Sequence, residues 1–92
     1  MTASTPSPTD RVAIAGLAGA GLGLAHFVAP QAFAPITRPL FPHNTTSWTY
    51  RNGAAETVIG IGFVAPATRP VATVALIAYV GFLATRAVRA AH

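Results

Sequence analysis

The chain has 92 residues, of which 9% are charged and 52% hydrophobic, with a net charge of +4. A soluble domain carries about 25% charged residues and has to cover a large surface with polar groups. This composition excludes such a shell, so the expected surroundings are a lipid bilayer. The six basic residues are all arginine, standing singly or in pairs between apolar runs. They form no basic face, which excludes nucleic acid as a partner and leaves lipid phosphates at membrane boundaries. The absence of cysteine excludes disulfides, thiolate metal sites and iron–sulfur ligation.

Residues 1–10, MTASTPSPTD, are Ser, Thr and Pro with nothing to build a core, and read as a flexible N-terminal tail. Thr9 or Asp10 is placed to cap the helix that follows. The membrane domain is expected over 11–92. Its first helix covers 11–29, where the run from Val12 to Ala29 holds His26 as its sole ionisable group and Pro30 ends it. Eighteen such residues span about 27 Å, close to the hydrocarbon thickness. The competing reading is a signal peptide cut after Ala32-Phe33-Ala34. Against it, Pro35 would follow the cut and the positive charge at Arg11 falls late.

From Gln31 to Asn44, Pro35, Pro39 and Pro42 argue against a long regular helix. The segment is expected to be a Pro-rich loop at the interface, with Phe33, Ile36, Leu40 and Phe41 against lipid and Arg38 near phosphates. The second helix covers 46–65, starting near a Thr or Ser cap, with Trp48, Tyr50, Arg51 and Asn52 as its interfacial belt. Pro66 and Pro70 bracket a turn, and the third helix covers 70–89. Its run from Val71 to Thr85 carries no charge, and Arg86, Arg89 and His92 close it. The fold class is therefore all-α, a bundle of three transmembrane helices. Four arginines on one side against Arg11 and Arg69 on the other favour an external N-terminus and a cytoplasmic C-terminus.

Helix packing is expected through small residues, which let membrane helices approach closely. On the first helix these are Gly16, Gly19 and Gly23, with Gly19 and Gly23 forming GxxxG; on the second they are Gly53 and Gly60. Glu56 is the sole acidic residue after Asp10. A carboxylate some ten residues into such a helix is expensive unless it faces protein and is paired or protonated. His26, near the exit of the first helix, falls in the same half of the membrane. A polar cluster of His26, Tyr50, Arg51 and Glu56 is expected. It serves either as an internal lock between two helices or as a contact for a quinone headgroup or a proton. No nucleophile–base pair, phosphate loop, paired carboxylate or metal ligand set is present in the sequence, so no catalytic residue and no metal are assigned.

His26-Phe27-Val28-Ala29-Pro30, then Gly53-Ala54-Ala55-Glu56 with Gly60, then Pro66-Ala67-Thr68-Arg69 together resemble the DoxX-like membrane proteins. That family tends to carry a His-Phe-x-x-Pro exit from its first helix, Gly-x-x-Glu in its second and a short Pro/Arg turn after it. The resemblance covers about residues 22–70. It implies a small helical bundle with His26 and Glu56 as the characteristic polar pair, linked to quinone-coupled membrane complexes. The family usually has four membrane helices, and after Arg69 one more fits here.

The function expected from all this is that of a non-catalytic accessory subunit in a larger membrane complex, such as a respiratory, quinone-linked succinate dehydrogenase. The first alternative is a stand-alone DoxX-like protein handling a quinone or other lipophilic redox molecule. The second is a small homo-oligomeric channel or transporter with Glu56 at its pore. The expected partners are membrane lipids and other membrane subunits or further copies of the chain. No cofactor is expected on the chain alone, with a quinone or lipid held at a subunit interface, and the expected location is the bacterial plasma membrane.

Overall fold

The computed structural model describes residue 5 and residues 7–92, and its described residues hold four α-helices, one short 3-10 turn and no strand. Helix α1 runs Pro8–Val28, α2 Pro30–Leu40, α3 Thr45–Gly62 and α4 Arg69–Ala90, with the 3-10 turn at Pro66–Thr68 between α3 and α4. Helix α1 and the 3-10 turn with α4 are each long and apolar enough to cross a membrane.

Local chemistry sets each boundary. Ser7 caps α1: its hydroxyl accepts from the Asp10 backbone N–H at 3.1 Å, and the Asp10 carboxylate accepts from the Ser7 N–H at 3.3 Å. This is a reciprocal capping box with Pro8 at the first helical position, where its missing N–H costs nothing. The cap therefore lies before Thr9 and Asp10, and residues 8–10 of the expected tail are helical. The remainder of that tail falls mostly outside the described residues. Helices α1 and α2 each end two residues before a proline. Ala29 precedes Pro30 and Phe41 precedes Pro42, and both leave helical geometry, at φ −136°, ψ 65° and φ −134°, ψ 70°. A proline ring crowds the α conformation of the residue before it. Asn44 enters α3 with φ 58°, a left-handed conformation that asparagine tolerates better than most side chains. Asn44, and not a Thr or Ser, is thus the cap residue of α3.

The segment from 30 to 40 is a helix, which corrects the expected Pro-rich loop. Pro30 occupies its first position, and Pro35 and Pro39 are four residues apart on an exposed face. Eleven residues are short enough to tolerate the two lost N–H donors, and the opposite face docks on the body. Thr37 is buried there.

The helices α1 and α3 run antiparallel in intimate contact, and α2 lies across the end where α1 stops and α3 begins. Helix α4 returns beside α3, touching it at Gly62–Ala72 near one end and through Phe82 and Trp48 near the other. The backbones of α1 and α4 stay apart. Of the apolar stretch of α1, 22% is buried; of the stretch ending in α4, 6%. Ala72 is the sole buried residue of α4. The whole extends 54 × 26 × 19 Å.

Candidate functional site

The site rests on the seam between α1 and α3. A Cβ placed on Gly16 would stand 2.5 Å from the Gly60 carbonyl oxygen, and one on Gly60 would stand 2.5 Å from the Ala20 nitrogen. Lower along the seam, a Cβ on Gly53 would meet the His26 Cβ at 2.5 Å, and Gly23 faces the side chain of Thr57 and the Gly53 carbonyl. None of these places accepts a methyl group without moving backbone, so the two helices meet backbone to backbone. The spacing on α1 is Gly16, Ala20, Gly23, a stripe of fours and threes. Gly19 is not part of it: a Cβ there would make an ordinary 3.9 Å contact with the Gly60 Cα. The GxxxG pair read from sequence is therefore split, with Gly23 inside the seam and Gly19 at its margin. The Thr57 hydroxyl donates to the Gly53 carbonyl at 2.7 Å, and the Thr49 hydroxyl to the Thr45 carbonyl at 3.0 Å. Both side chains thus satisfy their polar groups within α3.

This close approach brings His26 of α1 against Glu56 of α3. The imidazole Nε2 lies 3.2 Å from Glu56 Oε2, with the two side chains 9% and 35% exposed. The other ring nitrogen, Nδ1, lies 2.8 Å from the Leu22 carbonyl oxygen. A carbonyl only accepts, so Nδ1 carries a hydrogen. A neutral ring would then present a bare Nε2 lone pair to the carboxylate. The contact is attractive only when one proton sits on Nε2 or on the carboxyl group. Either arrangement leaves the pair with no net charge, which is what an apolar surrounding requires. The 3.2 Å approach is out of line with a ring N–H, and Oε2, fully buried, has no aligned hydrogen bond among the described residues. Phe33 of α2 stacks on the imidazole, with centroids 3.7 Å apart and planes 17° from parallel. It closes the ring's face, which is why His26 is buried.

Glu56 also lines a groove of about 510 Å³ between α1 and α4, floored by α3. Its walls are apolar, with Leu22 and Gly19 from α1, Ile59 and Phe63 from α3, and Val80 and Leu83 from α4. Glu56 and Tyr79 are the polar side chains among its lining residues. The volume falls within the range of about 300–1,000 Å³ typical of small-molecule sites, and an apolar wall with few polar groups is their usual make-up.

Two of the four residues expected to cluster stand elsewhere. Tyr50 is exposed and stacks on Phe27, centroids 5.5 Å apart. Arg51 points its guanidinium over the Trp48 ring at 4.8 Å. Both project outward from the first turns of α3, about a turn before Glu56, where the helix has already rotated away. Tyr79 of α4 lines the same groove as Glu56. Its signal in the sequence was its position as the lone aromatic hydroxyl in an otherwise charge-free run. Phe33 was concealed by the proline pattern, which reads as loop.

Two arginines close the ends of the bundle. Arg69 donates from Nε to the Phe63 carbonyl at 2.7 Å, and from one terminal nitrogen to the carbonyls of Val64 at 3.2 Å and Thr9 at 3.0 Å. It satisfies orphan carbonyls at the end of α3 and ties them to the start of α1. At the opposite end, Phe41, Trp48 and Phe82 pack together, and the Arg86 guanidinium lies 4.5 Å from the centre of the Phe41 ring. Among the described residues no group of three His, Cys, Asp or Glu side chains is placed to hold a metal.

Residues 14–92 match a family described as a domain of unknown function (DUF8561). The match takes in α1 from Ile14 onward and the whole of α2, α3 and α4, and the chain belongs to that family. No curated protein and no solved structure matches the chain.

Proposed function

We propose that this chain is an integral-membrane bundle of three spans, α1, α3 and α4, that holds a lipophilic molecule of the quinone class with its oxygen-bearing head at Glu56. The observation that carries this reading is the apolar groove between α1 and α4 with Glu56 and Tyr79 in its lining. A quinone needs an apolar wall for its tail and ring and a few hydrogen-bonding groups for its carbonyl oxygens. Of the two polar side chains in the lining, the Tyr79 hydroxyl can donate to a quinone carbonyl oxygen, and the Glu56 carboxylate can accept from a hydroxyl of the reduced quinol.

Helix α3 qualifies as a span through its partner. Its 18 residues extend about 27 Å, antiparallel to α1. Thr49 and Asn52 are buried, and Glu56 faces α1. Ala54, Val58 and Ile61 face outward. From Asn52 onward its polar side chains are thus turned from lipid, as the cost of exposing them there demands, and the exposed Tyr50 and Arg51 fall in its first two turns. The DoxX-like resemblance supports the same reading, because its His-Phe-x-x-Pro and Gly-x-x-Glu residues are those that build the pair.

A second reading adds to the first. The chain acts as a non-catalytic accessory subunit of a larger membrane assembly, of the kind found in quinone-linked respiratory oxidoreductases such as succinate dehydrogenase. The outer face of α4 favours it, since Val71, Val74, Ile77 and Val88 are all exposed. Native mass spectrometry of gently solubilised membranes tests it. Fixed stoichiometric partners are expected, and a lone monodisperse chain would sink it.

The quinone reading is tested by titrating the purified protein in lipid nanodiscs with a short-chain benzoquinone and, separately, with its reduced quinol. Saturable binding at one molecule per chain is expected, and binding of the reduced quinol should weaken about tenfold or more in Glu56→Gln with the helical spectrum unchanged. Equal quinol affinity in wild type and variant contradicts the role given to Glu56.

A further inference from the structure

A second cleft, of about 280 Å³, opens between the C-terminal ends of α2 and α4 and is lined by Pro39, Leu40, Pro42, Arg86, Arg89 and Ala90. It shares no residue with the groove at Glu56. Arg86 is fixed there on three sides. Its Nε donates to the Leu40 carbonyl at 3.2 Å, and its guanidinium lies 4.5 Å from the Phe41 ring centre and 5.5 Å from that of Trp48. Those contacts use one N–H and the flat face of the group. The two terminal nitrogens keep their N–H donors without an acceptor among the described residues. Arg89, one turn further along α4, adds a second guanidinium with no intramolecular partner there.

Charge decides what belongs in the cleft. The only acidic side chains in the chain are Asp10 and Glu56. Asp10 sits in the capping box at the far end of α1, and Glu56 is paired with His26. Neither is available to these arginines. Each helix C-terminus contributes about −0.5 of a charge, so α2 and α4 together offset about one of the two positive charges. Side chains and helix ends together thus leave about one unit of positive charge on the two arginines, in a cleft with proline and leucine walls. Guanidinium groups bind phosphate oxygens in a bidentate fork and are more weakly hydrated than ammonium.

We propose that this cleft binds a phosphate monoanion or diester through Arg86 and Arg89. A phosphate-bearing lipid headgroup is the natural source at a membrane boundary, because basic pockets between spans are where anionic headgroups bind. Arg86, oriented by Leu40 and the two rings, sets the position of the anion, and Arg89 closes on it from the helix end. The bound headgroup would pin α4 to α2, whose contact is otherwise confined to the neighbourhood of Phe41 and Leu40.

The test is native mass spectrometry of the full-length protein in detergent, titrated separately with phosphatidylglycerol, phosphatidylcholine and inorganic phosphate. Retention of phosphatidylglycerol at one molecule per chain, above phosphatidylcholine, is expected. Arg89→Gln should weaken it about five-fold, the effect of removing one cationic side chain from an anionic headgroup. Arg11→Gln, at the other end of the bundle, should leave it unchanged. Arg89 is exposed and its guanidinium has no acceptor among the described residues, so Arg89→Gln should leave the fold intact, and Arg89→Lys should recover part of the affinity. Retention of inorganic phosphate with the same Arg89 dependence also supports the site and assigns its anion as free phosphate. Equal retention of both lipids, or an Arg89→Gln titration matching wild type, overturns the proposal.

Discussion

Between α1 and α3 a single methyl group is too much at Gly16, Gly23, Gly53 and Gly60; between α1 and α4 there is room for a molecule of some 510 Å³. Both regions are built from the same alanine, glycine, valine and leucine vocabulary. The difference lies in which face each small residue occupies. Gly16, Ala20 and Gly23 share the stripe that meets α3, whereas Gly21 and Gly81 have nothing within 4 Å of where a Cβ would stand. Where lipid is the solvent, apolar side chains gain little by leaving it, and close backbone packing has to supply the attraction. The α1–α3 seam has that packing along its whole length. Helix α4 has it only at Gly62–Ala72, and is otherwise held by Arg69 at one end and by the Arg86–aromatic layer at the other. A rigid pair thus carries the His26–Glu56 contact, and a loosely fastened third helix walls the space in front of it.

The sharpest way to break this contrast is to add bulk to a glycine on each side of it. Gly23→Leu drives a side chain into Thr57 and the Gly53 carbonyl and should cost about 3 kcal/mol or more. Gly81→Leu, on the open face of α4, should shift stability by no more than about 0.5 kcal/mol. Denaturant titration in micelles, followed by circular dichroism, measures both. Similar losses at the two positions would mean that α4 is packed as tightly as α1.

The polar contact inside the seam should give the next largest effect. Glu56→Ala leaves the His26 Nε2 facing no partner and should cost about 1–3 kcal/mol. In Glu56→Gln the side-chain amide can donate to that nitrogen, so the loss should be smaller by at least half. If the two substitutions destabilise equally, the proton placed between His26 and Glu56 is not what holds them together.

Arg69→Gln removes three partly exposed hydrogen bonds, two to backbone carbonyls at the end of α3 and one to Thr9 at the start of α1, and should cost about 1–2 kcal/mol. Its effect should be local. Hydrogen exchange should speed up around residues 62–72, where α4 is fastened, and stay slow in the middle of α1. Gly19→Leu should have the smallest effect on stability, under about 0.5 kcal/mol, because the new side chain enters the groove and not the seam. It should nonetheless abolish quinone binding by filling the site. A Gly19 variant as unstable as the Gly23 variant would return Gly19 to the packing stripe.

Much of this was legible in the residues themselves. An apolar run ended by Pro30, a second helix with a polar stripe and a charge-free third run gave the order and direction of α1, α3 and α4 within a few residues at each end. The meeting of His26 with Glu56 followed from counting turns on an antiparallel pair. What escaped was rotational. Tyr50 and Arg51 lie within six residues of Glu56 in sequence, yet the helix turns them to the outside, and only contact geometry separates Gly19 from Gly16. Helix α2 escaped for a different reason. Proline removes a donor and crowds one side of a helix, which decides the matter in a buried helix. Along an exposed face of an 11-residue helix the same prolines are tolerated, and docking of Phe33 and Thr37 outweighs their cost.

What occupies the space in front of Glu56 decides whether the groove is a binding site. A photoreactive short-chain benzoquinone, bound to the protein in nanodiscs, activated and mapped by peptide mass spectrometry, addresses this directly. The predicted labels fall on Leu22, Val80 and Leu83, inside the groove, and are lost in Gly19→Leu. Labelling confined to Val74 and Ile77 on the outer face of α4, or unchanged by Gly19→Leu, would contradict it.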